Sequence, residues 1–426
     1  MSLSAALVGV IVLLRKQSLL GESLSHAAYP GVILALLLHA ILLPESGSEF
    51  CLTTFILFGA FISALLGLYS IRALEEHLNI RHDSAMCFVL AIFFGVGITM
   101  ASRVQYTHTD LYTKVQSYLY GQAATMTMVH VYVYGFIAAI VILAVILLYK
   151  ELQIVNFDRD FAISTGVRAK LIEAFAFFLI VLAITVGLRS VGVVLMSAML
   201  IAPAAAARQY TNHLGMILFL AALIGLISGF FGVYSSVVLT DYFHIQYPGK
   251  YVSLPTGPMI VIVASSICFF SLLFAPERGL LLRFARRVMF RYKCLQENIL
   301  KAIWKYQEKD GLNIKGINQF LNTYQTLLLF ALKRLEMQGW LVKSQDGMYT
   351  LTKDGMHKAA HIVRLHRLWE VYLVNHLGFG VDRVHANAEE MEHIITPEIE
   401  ARLTDLLHDP QHDPHFQPIP PKGETI

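Results

Sequence analysis

Apolar positions fall in long unbroken runs rather than in narrow stripes. Residues 120–149 contain no Asp, Glu, Lys or Arg, and within 171–207 only Glu173 and Arg189 carry charge. Segments 214–240 and 251–276 carry none. Runs of about 20 apolar residues predict membrane-spanning helices. About nine such segments are expected, at 1–14, 27–43, 52–74, 85–101, 127–149, 171–188, 191–207, 214–239 and 254–275. The first is short for a span, so the native start is expected upstream or this helix is incomplete. It lacks the basic start and cleavage site of a signal peptide. Beyond Pro276 the pattern turns charged and His-bearing, which predicts a second, soluble domain.

Alternating the direction of the segments sorts their connections into two sets. One holds Arg15-Lys16, Arg72 with Arg81, residues 150–170, Arg208, and everything after Arg278. The other holds 44–50, 103–122, Arg189 and 241–250. The first set has the Lys/Arg excess and is assigned to the cytoplasm, together with the C-terminal domain. His108, Asp110, Asp241 and His244 then fall on the outer side, as ordinary loop residues. The composition, 56% hydrophobic and 15% charged, agrees with a multi-pass protein of the bacterial inner membrane. The net charge of +3 is less informative than its placement. Cys51, Cys87, Cys268 and Cys294 form no CxxC pair, which argues against a disulfide framework or zinc knuckle.

Within the first domain, Glu22 and His26 are four residues apart. On a helix this sets a carboxylate and an imidazole on one face, one turn apart. Ionisable groups at membrane depth are costly and usually face a partner, a cavity or a transported ion. Pro30-Gly31 is expected to break the helix just beyond them. The alternative is a helix end, with His26 hydrogen-bonded to a neighbour. In the cytoplasmic connection, Phe157, Phe161 and Ser164 are expected on one face of a short amphipathic helix that Gly166 closes.

Here a family resemblance becomes specific. Gly21-Glu22-Ser23-Leu24-Ser25-His26-Ala27 with Pro30-Gly31 resembles the GD-x-LSHA-x-x-PG signature of permeases in the zinc/manganese/iron ABC importer family. Phe157-Asp158, with Phe161, Ala162 and Gly166-Val167, is similar to the segment by which that family docks its ATPase. Segments 191–195 and 199–206 resemble its Pro-bearing helix, and Leu254-Pro255-Thr256-Gly257 its LPSG. The resemblance implies that Glu22 and His26 lie on the cation path. Glu22 stands where the family usually has Asp. Carboxylate plus imidazole suits Mn²⁺, Fe²⁺ or Zn²⁺ better than Mg²⁺ or Ca²⁺. No G-x-x-x-x-G-K-[ST] occurs, so no nucleotide is expected on this chain, which is not an enzyme. A separate cytoplasmic ATPase, an extracytoplasmic metal-binding protein and a second permease copy or paralogue are implied as partners.

Segment 277–293 is basic, with Arg278, Arg283, Arg286, Arg287, Arg291 and Lys293 against Glu277, and is expected as a juxtamembrane linker on anionic lipid. A helix at 295–308 ended by Asp310-Gly311, a helix at 314–321, and a helix at 325–338 capped by Asn322-Thr323 follow. Asp346-Gly347 then predicts a hairpin turn between 340–343 and 348–352. This order predicts a winged helix, a DNA reader or a protein-interaction module. His366 and Glu370 stand at i and i+4. His385, Glu389, Glu392 and His393 are expected on one face of one helix. Six imidazole and carboxylate groups in two facing stripes suit Mn²⁺, Fe²⁺ or Zn²⁺.

Segment 292–421 resembles the DtxR/MntR family of metal-dependent repressors. The resemblance lies in Leu365-His366-Arg367-Leu368-Trp369-Glu370, in His385 through His393, and in Asp413-Pro414-His415 with Pro418-Ile419-Pro420. Asn298 and Lys301 stand where MntR-type ligands are acidic, which predicts one incomplete metal site. Operator DNA would meet Tyr324, Gln325, Thr326 and Lys333, on an unusually apolar recognition helix. The resemblance also implies a dimer. The expected fold is thus an all-α polytopic membrane domain of about eight or nine spans (1–276), the linker, a winged helix (294–356) and metal-binding/dimerisation helices (357–421). The expected function is a divalent-metal permease fused to a metal-responsive regulator. Alternatives are a tail that gates transport without binding DNA, a proteolytically released repressor, and import of vitamin B12 or iron–siderophore.

Overall fold

The computed structural model describes residues 1–42, 49–107, 109–246, 254–306 and 311–422. They form two compact units, Met1–Arg283 and Phe284–Ile426.

The first unit is all helix. In order come α1 (Ser2–Leu14), α2 (Ser18–Leu42), α3 (Glu49–Leu78), α4 (His82–Thr107), α5 (Thr109–Tyr120), α6 (Met128–Leu147), α7 (Tyr149–Phe157), α8 (Arg159–Ser164), α9 (Ala169–Val191), α10 (Met196–Arg208), α11 (Leu214–Gln246) and α12 (Thr256–Phe274). Seven of them are long and apolar enough to cross a membrane, while α1 and α10 are apolar but shorter. All nine predicted segments are therefore helices among the described residues, and two of them fall short of a span. The connections at 44–48 and 247–250 and residue His108 lie outside the described residues.

The expected break at Pro30-Gly31 does not occur, because α2 runs on to Leu42 with Pro30 inside it. Pro30 removes one amide donor, which a neighbouring helix can tolerate by supplying polar groups. Ser63 Oγ of α3 donates to the Ala27 carbonyl in that turn at 2.6 Å. Gly31 serves close packing instead: a Cβ there would sit 2.2 Å from the Gly59 carbonyl oxygen of α3. Small residues let helices approach closely where lipid gives no hydrophobic drive. Gly9 of α1 plays the same part against Leu200 of α10, where a Cβ would meet the backbone oxygen at 1.8 Å.

The second unit begins within α13 (Leu280–Lys305), so the expected linker is helical from Leu280 onward. Its residues 281–291 are exposed, and burial begins near Glu297, Ile299 and Leu300. Then come α14 (Ile314–Leu321), α15 (Gln325–Met337), β1 (Leu341–Lys343) and β2 (Tyr349–Leu351). The strands pair antiparallel with Leu341 opposite Leu351, and Gly347 makes the turn at φ +77°. This is the predicted winged helix. Asn322-Thr323 does not cap α15: Asn322 is left-handed (φ 45°) and ends α14, and Tyr324 stands at the N-terminus of α15. Asn tolerates that conformation, so the terminating role won over the capping one. Residues 307–310, including Asp310, lie outside the described residues.

Three helices complete the unit, α16 (Lys353–Leu377), α17 (Val384–Met391) and α18 (Pro397–Leu406). Thr352 caps α16 by accepting from Gly355 N, and left-handed Gly378 ends it. The terminal turn folds back on α16. Asp413 accepts from the His415 and Gln417 amides at 2.8 Å each, and Arg364 donates to the Pro420 carbonyl at 2.9 Å.

Candidate metal centres

In the membrane unit, α2 carries both Glu22 and His26. Glu22 lines an open, mainly apolar cavity of about 400 Å³ between α2, α10 and α12, beside Ser18, Ser197 and Ser265. His26 is buried and packs edge-on against Phe94 of α4, ring centroids 4.4 Å apart. Its Nδ1 is buried without a hydrogen-bond partner. The two side chains therefore share a helix face but not a cavity. An i,i+4 step rotates by about 40°, enough for a neighbouring helix to cover one member of the pair.

The segment resembling an ATPase dock is two helices, not one. Asp158 separates α7 from α8 and caps α8, accepting from Phe161 N at 2.9 Å. Phe157 thus ends one helix and Phe161 lies in the first turn of the next. The Asx-type cap broke the expected continuous face. Ala162 is fully buried, while Phe157, Phe161 and Ile163 are exposed. Gly166 at φ +84° closes α8. Its amide and that of Val167 bond back to the Ile163 and Ala162 carbonyls, which is a Schellman motif.

In the second unit the six predicted ligands do not form two facing stripes. α17 ends at Met391, so Glu392 and His393 lie in the turn after it. They are buried, whereas His385 and Glu389 are exposed. Two groups result. In the first, His366 Nε2 lies 3.1 Å from Glu370 Oε1 and 3.0 Å from His385 Nδ1, and His385 Nδ1 lies 3.0 Å from the same Glu370 oxygen. One ligand atom from each of these three residues falls within 4.8 Å of the others. Glu389 reaches His385 Nε2 at 3.7 Å. The group opens on a cavity of about 890 Å³ that Trp304, Arg367 and Asp413 also line.

In the second group, Glu392 Oε2 lies 2.5 Å from His366 Nδ1. His393 Nδ1 lies 2.7 Å from Glu297 Oε2, and its Nε2 3.7 Å from Glu392 Oε1. Lys301 stands beside Glu392 and His366, its Nζ 2.7 Å from Glu392 Oε2 and 3.1 Å from His366 Nδ1. The sequence reading missed Glu297. A signal was available, since this carboxylate stands one turn before Leu300, in line with the apolar positions Ile299, Leu300 and Ile303 of α13.

Electrostatics bind the first group together. Burial pushes the Glu370 carboxyl up, but hydrogen bonds from His366 and His385 outweigh it and bring its pKa down to about 2. Burial pulls His366 down, yet its bonds to Glu370 and Glu392 leave it above its ordinary 6.5. Glu392 is held low by His366 and Lys301 against the opposing effect of burial. Two imidazoles and an ionised carboxylate converging on one point are a donor set for a first-row divalent ion.

Tyr324, Gln325, Thr326 and Lys333 are all exposed on or beside α15. Leu327, Leu329 and Phe330 are exposed on the same helix.

Comparison with known proteins decides the family. The ABC 3 transport family model matches residues 1–275. The chain belongs to that family. Residues 352–421 of the permease match a second model, the iron dependent repressor metal binding and dimerisation domain. The whole chain is 40% identical to a probable metal transport system membrane protein of Chlamydia pneumoniae, over 95% of that protein. It is 32% identical to the manganese transport system membrane protein MntC of Bacillus subtilis, over 88% of this chain and 82% of that one. It is 38% identical to the zinc transport system membrane protein TroC of Treponema pallidum, over 70% of this chain and 92% of that one. PsaBC from Streptococcus pneumoniae shares the fold, with a TM-score of 0.54 at 24% identity over 65% of this chain and 88% of that chain. The chain thus joins an ABC 3 family permease to a region that matches the metal binding and dimerisation domain of iron dependent repressors.

Proposed function

We propose that the permease carries a divalent transition metal, Mn²⁺, Fe²⁺ or Zn²⁺, inward across the bacterial inner membrane. Relatives named for manganese and for zinc transport support that class. Glu22 and His26 form the ion's stepping stone. Glu22 borders the cavity, and the unpartnered Nδ1 of His26 is a free donor one turn on. Transfer between them requires the Phe94 ring to give way. The exposed Phe157 at the end of α7, with Phe161 and Ile163 on the capped helix α8, docks a separate cytoplasmic ATPase. An extracytoplasmic metal-binding protein delivers the ion, and a second permease copy or paralogue completes the pathway.

The C-terminal domain lies in the cytoplasm and senses the arriving ion. One metal is held by His366, Glu370 and His385, with Glu389 beside the outer nitrogen of His385, and binding favours a dimer that presents Tyr324, Gln325, Thr326 and Lys333 to operator DNA. The observation that carries this reading is the meeting of His366, Glu370 and His385 within 4.8 Å on two different helices. The metal's own contribution is to tie α16 to α17 through neutral imidazoles and ionised carboxylates.

Uptake of ⁵⁴Mn by cells expressing the transporter tests the transport half. Glu22→Ala with His26→Ala abolishes uptake while assembly with the ATPase survives. Undiminished uptake removes both residues from the path. Metal-dependent retention of the full chain on operator DNA, lost in Glu370→Gln with His385→Ala, tests the regulatory half.

A further inference from the structure

The second group of donors has the chemistry of a metal site but a different occupant. Glu297 and Glu392 supply two carboxylates and His393 an imidazole, and all three residues are buried. Glu297 has the exposed ammonium of Lys293 at 3.7 Å, but Glu392 without a cation beside it would be buried with too little compensating charge, which folded proteins avoid. The compensating charge comes from the chain. Lys301 lies one turn after Glu297 on α13, and its ammonium reaches both oxygens of Glu392, at 3.1 and 2.7 Å. The same nitrogen lies 3.1 Å from His366 Nδ1. His366 thus faces the first group through Nε2 and the ammonium through Nδ1.

From this geometry we infer that Lys301 is a tethered cation filling the position of a second metal ion, so that the domain binds one ion instead of two. The inference rests on the reading of His366, Glu370 and His385 as a metal site. Three observations support it. The Glu392 side chain is fully buried and Lys301 is partly buried, with relative exposures of 0% and 17%, so one end of the pair is fully desolvated and the contact is not a freely screened surface one. An ammonium has three donors, and the two Glu392 oxygens accept from it at 3.1 and 2.7 Å. Among the described residues, Glu297, Glu392 and His393 are not drawn together as the first group is, since Nε2 of His393 stays 3.7 Å from Glu392. A divalent ion entering this basin would have to expel a like charge already bonded to its ligand.

The arrangement has a consequence for response. With one ion per chain at this domain, sharpening of the response comes only from metal-linked dimerisation and not from two coupled ions within one chain. The Lys301–Glu392 pair also ties α13 to the turn after α17 whether or not metal is present. The metal then needs only to close the exposed His385 side.

Equilibrium dialysis of the full-length permease in detergent against Mn²⁺, with bound ions counted per chain by mass spectrometry, tests this. Glu370→Gln with His385→Ala loses one ion relative to the native chain. Glu297→Gln with His393→Gln loses none. Lys301→Glu gains one, because it replaces the tethered cation by a further carboxylate. An ion lost from the Glu297/His393 variant overturns the inference, since the basin would then hold metal with Lys301 displaced. So does an unchanged count in a Lys301→Glu chain whose tryptophan emission matches the native one. If that variant misfolds, the Glu297/His393 count decides alone. A Glu370/His385 variant that loses no ion instead sinks the reading of the first group and leaves the Lys301 comparison to be judged separately.

Discussion

Glu370→Gln isolates the one carboxylate that touches both imidazoles of the first group. Glutamine keeps the volume but removes the charge that His366 and His385 face at 3.1 and 3.0 Å. Two effects follow. The metal loses an anionic ligand, which weakens Mn²⁺ binding at neutral pH by about 100-fold or more, roughly 2.8 kcal/mol. Proton competition also changes. A metal-binding imidazole must be neutral, and His366 titrates above 6.5 because its bonds to Glu370 and Glu392 outweigh burial. The native dissociation constant therefore rises about tenfold per unit as pH falls below a break lying above 6.5. In the variant one of those two supports becomes neutral, and the break moves to lower pH. The affinity gap is thus widest at high pH and narrows as pH falls. The three tryptophans, Trp304, Trp340 and Trp369, all lie in the C-terminal unit, so tryptophan fluorescence of the full chain reports on that unit alone. Mn²⁺ titrations from pH 5.5 to 8 followed by this signal make the measurement. Equal affinities at pH 7.5, or a gap that stays constant across the range, would refute the assignment.

Four further outcomes are expected. Without metal, the C-terminal unit is most stable between about pH 4.5 and 6.5. The low-held Glu370 and Glu392 contribute above 4.5 and lose that contribution as pH falls, towards about 2 for Glu370, while the raised His366 contributes below 6.5 and loses it as pH rises through its folded value. Urea midpoints by tryptophan fluorescence that rise steadily from pH 5 to 8 would contradict this. Gly31→Val lowers the thermal midpoint of the detergent-solubilised permease by overpacking α2 on α3, at about 1–3 kcal/mol or more. Gly95→Val is the control, because a Cβ there meets nothing within 4 Å. Phe157→Ala with Phe161→Ala leaves metal binding intact but reduces co-purification of the ATPase; unchanged recovery would move the dock elsewhere. On operator DNA, Lys333→Ala reduces the salt slope of binding by about one unit, as loss of one phosphate contact requires. A slope unaltered at lower affinity would point to the exposed Leu327, Leu329 and Phe330 as a protein-binding face.

Much of the molecule follows from sequence alone. Nine apolar runs dictate nine helices, since bilayer-length hydrophobic segments must satisfy their backbone internally. Gly347 and Gly378, which need left-handed backbone, mark the hairpin turn and the end of α16. The spacing of His366 and Glu370 fixes a ligand pair within one helix. The tertiary structure decided what spacing cannot reach. Whether Pro30-Gly31 breaks α2 depended on Gly59 and Ser63 of another helix. Whether His26 shares a cavity with Glu22 depended on Phe94. The ligand run from His385 to His393 was split where α17 ended, and Glu297 and Lys301 entered the second group from a helix about 90 residues earlier in the chain. Local periodicity specifies which residues face one way along a single helix. Only the packing of several helices sets which charges are buried together, and therefore which cation, a metal or the chain's own lysine, must neutralise them.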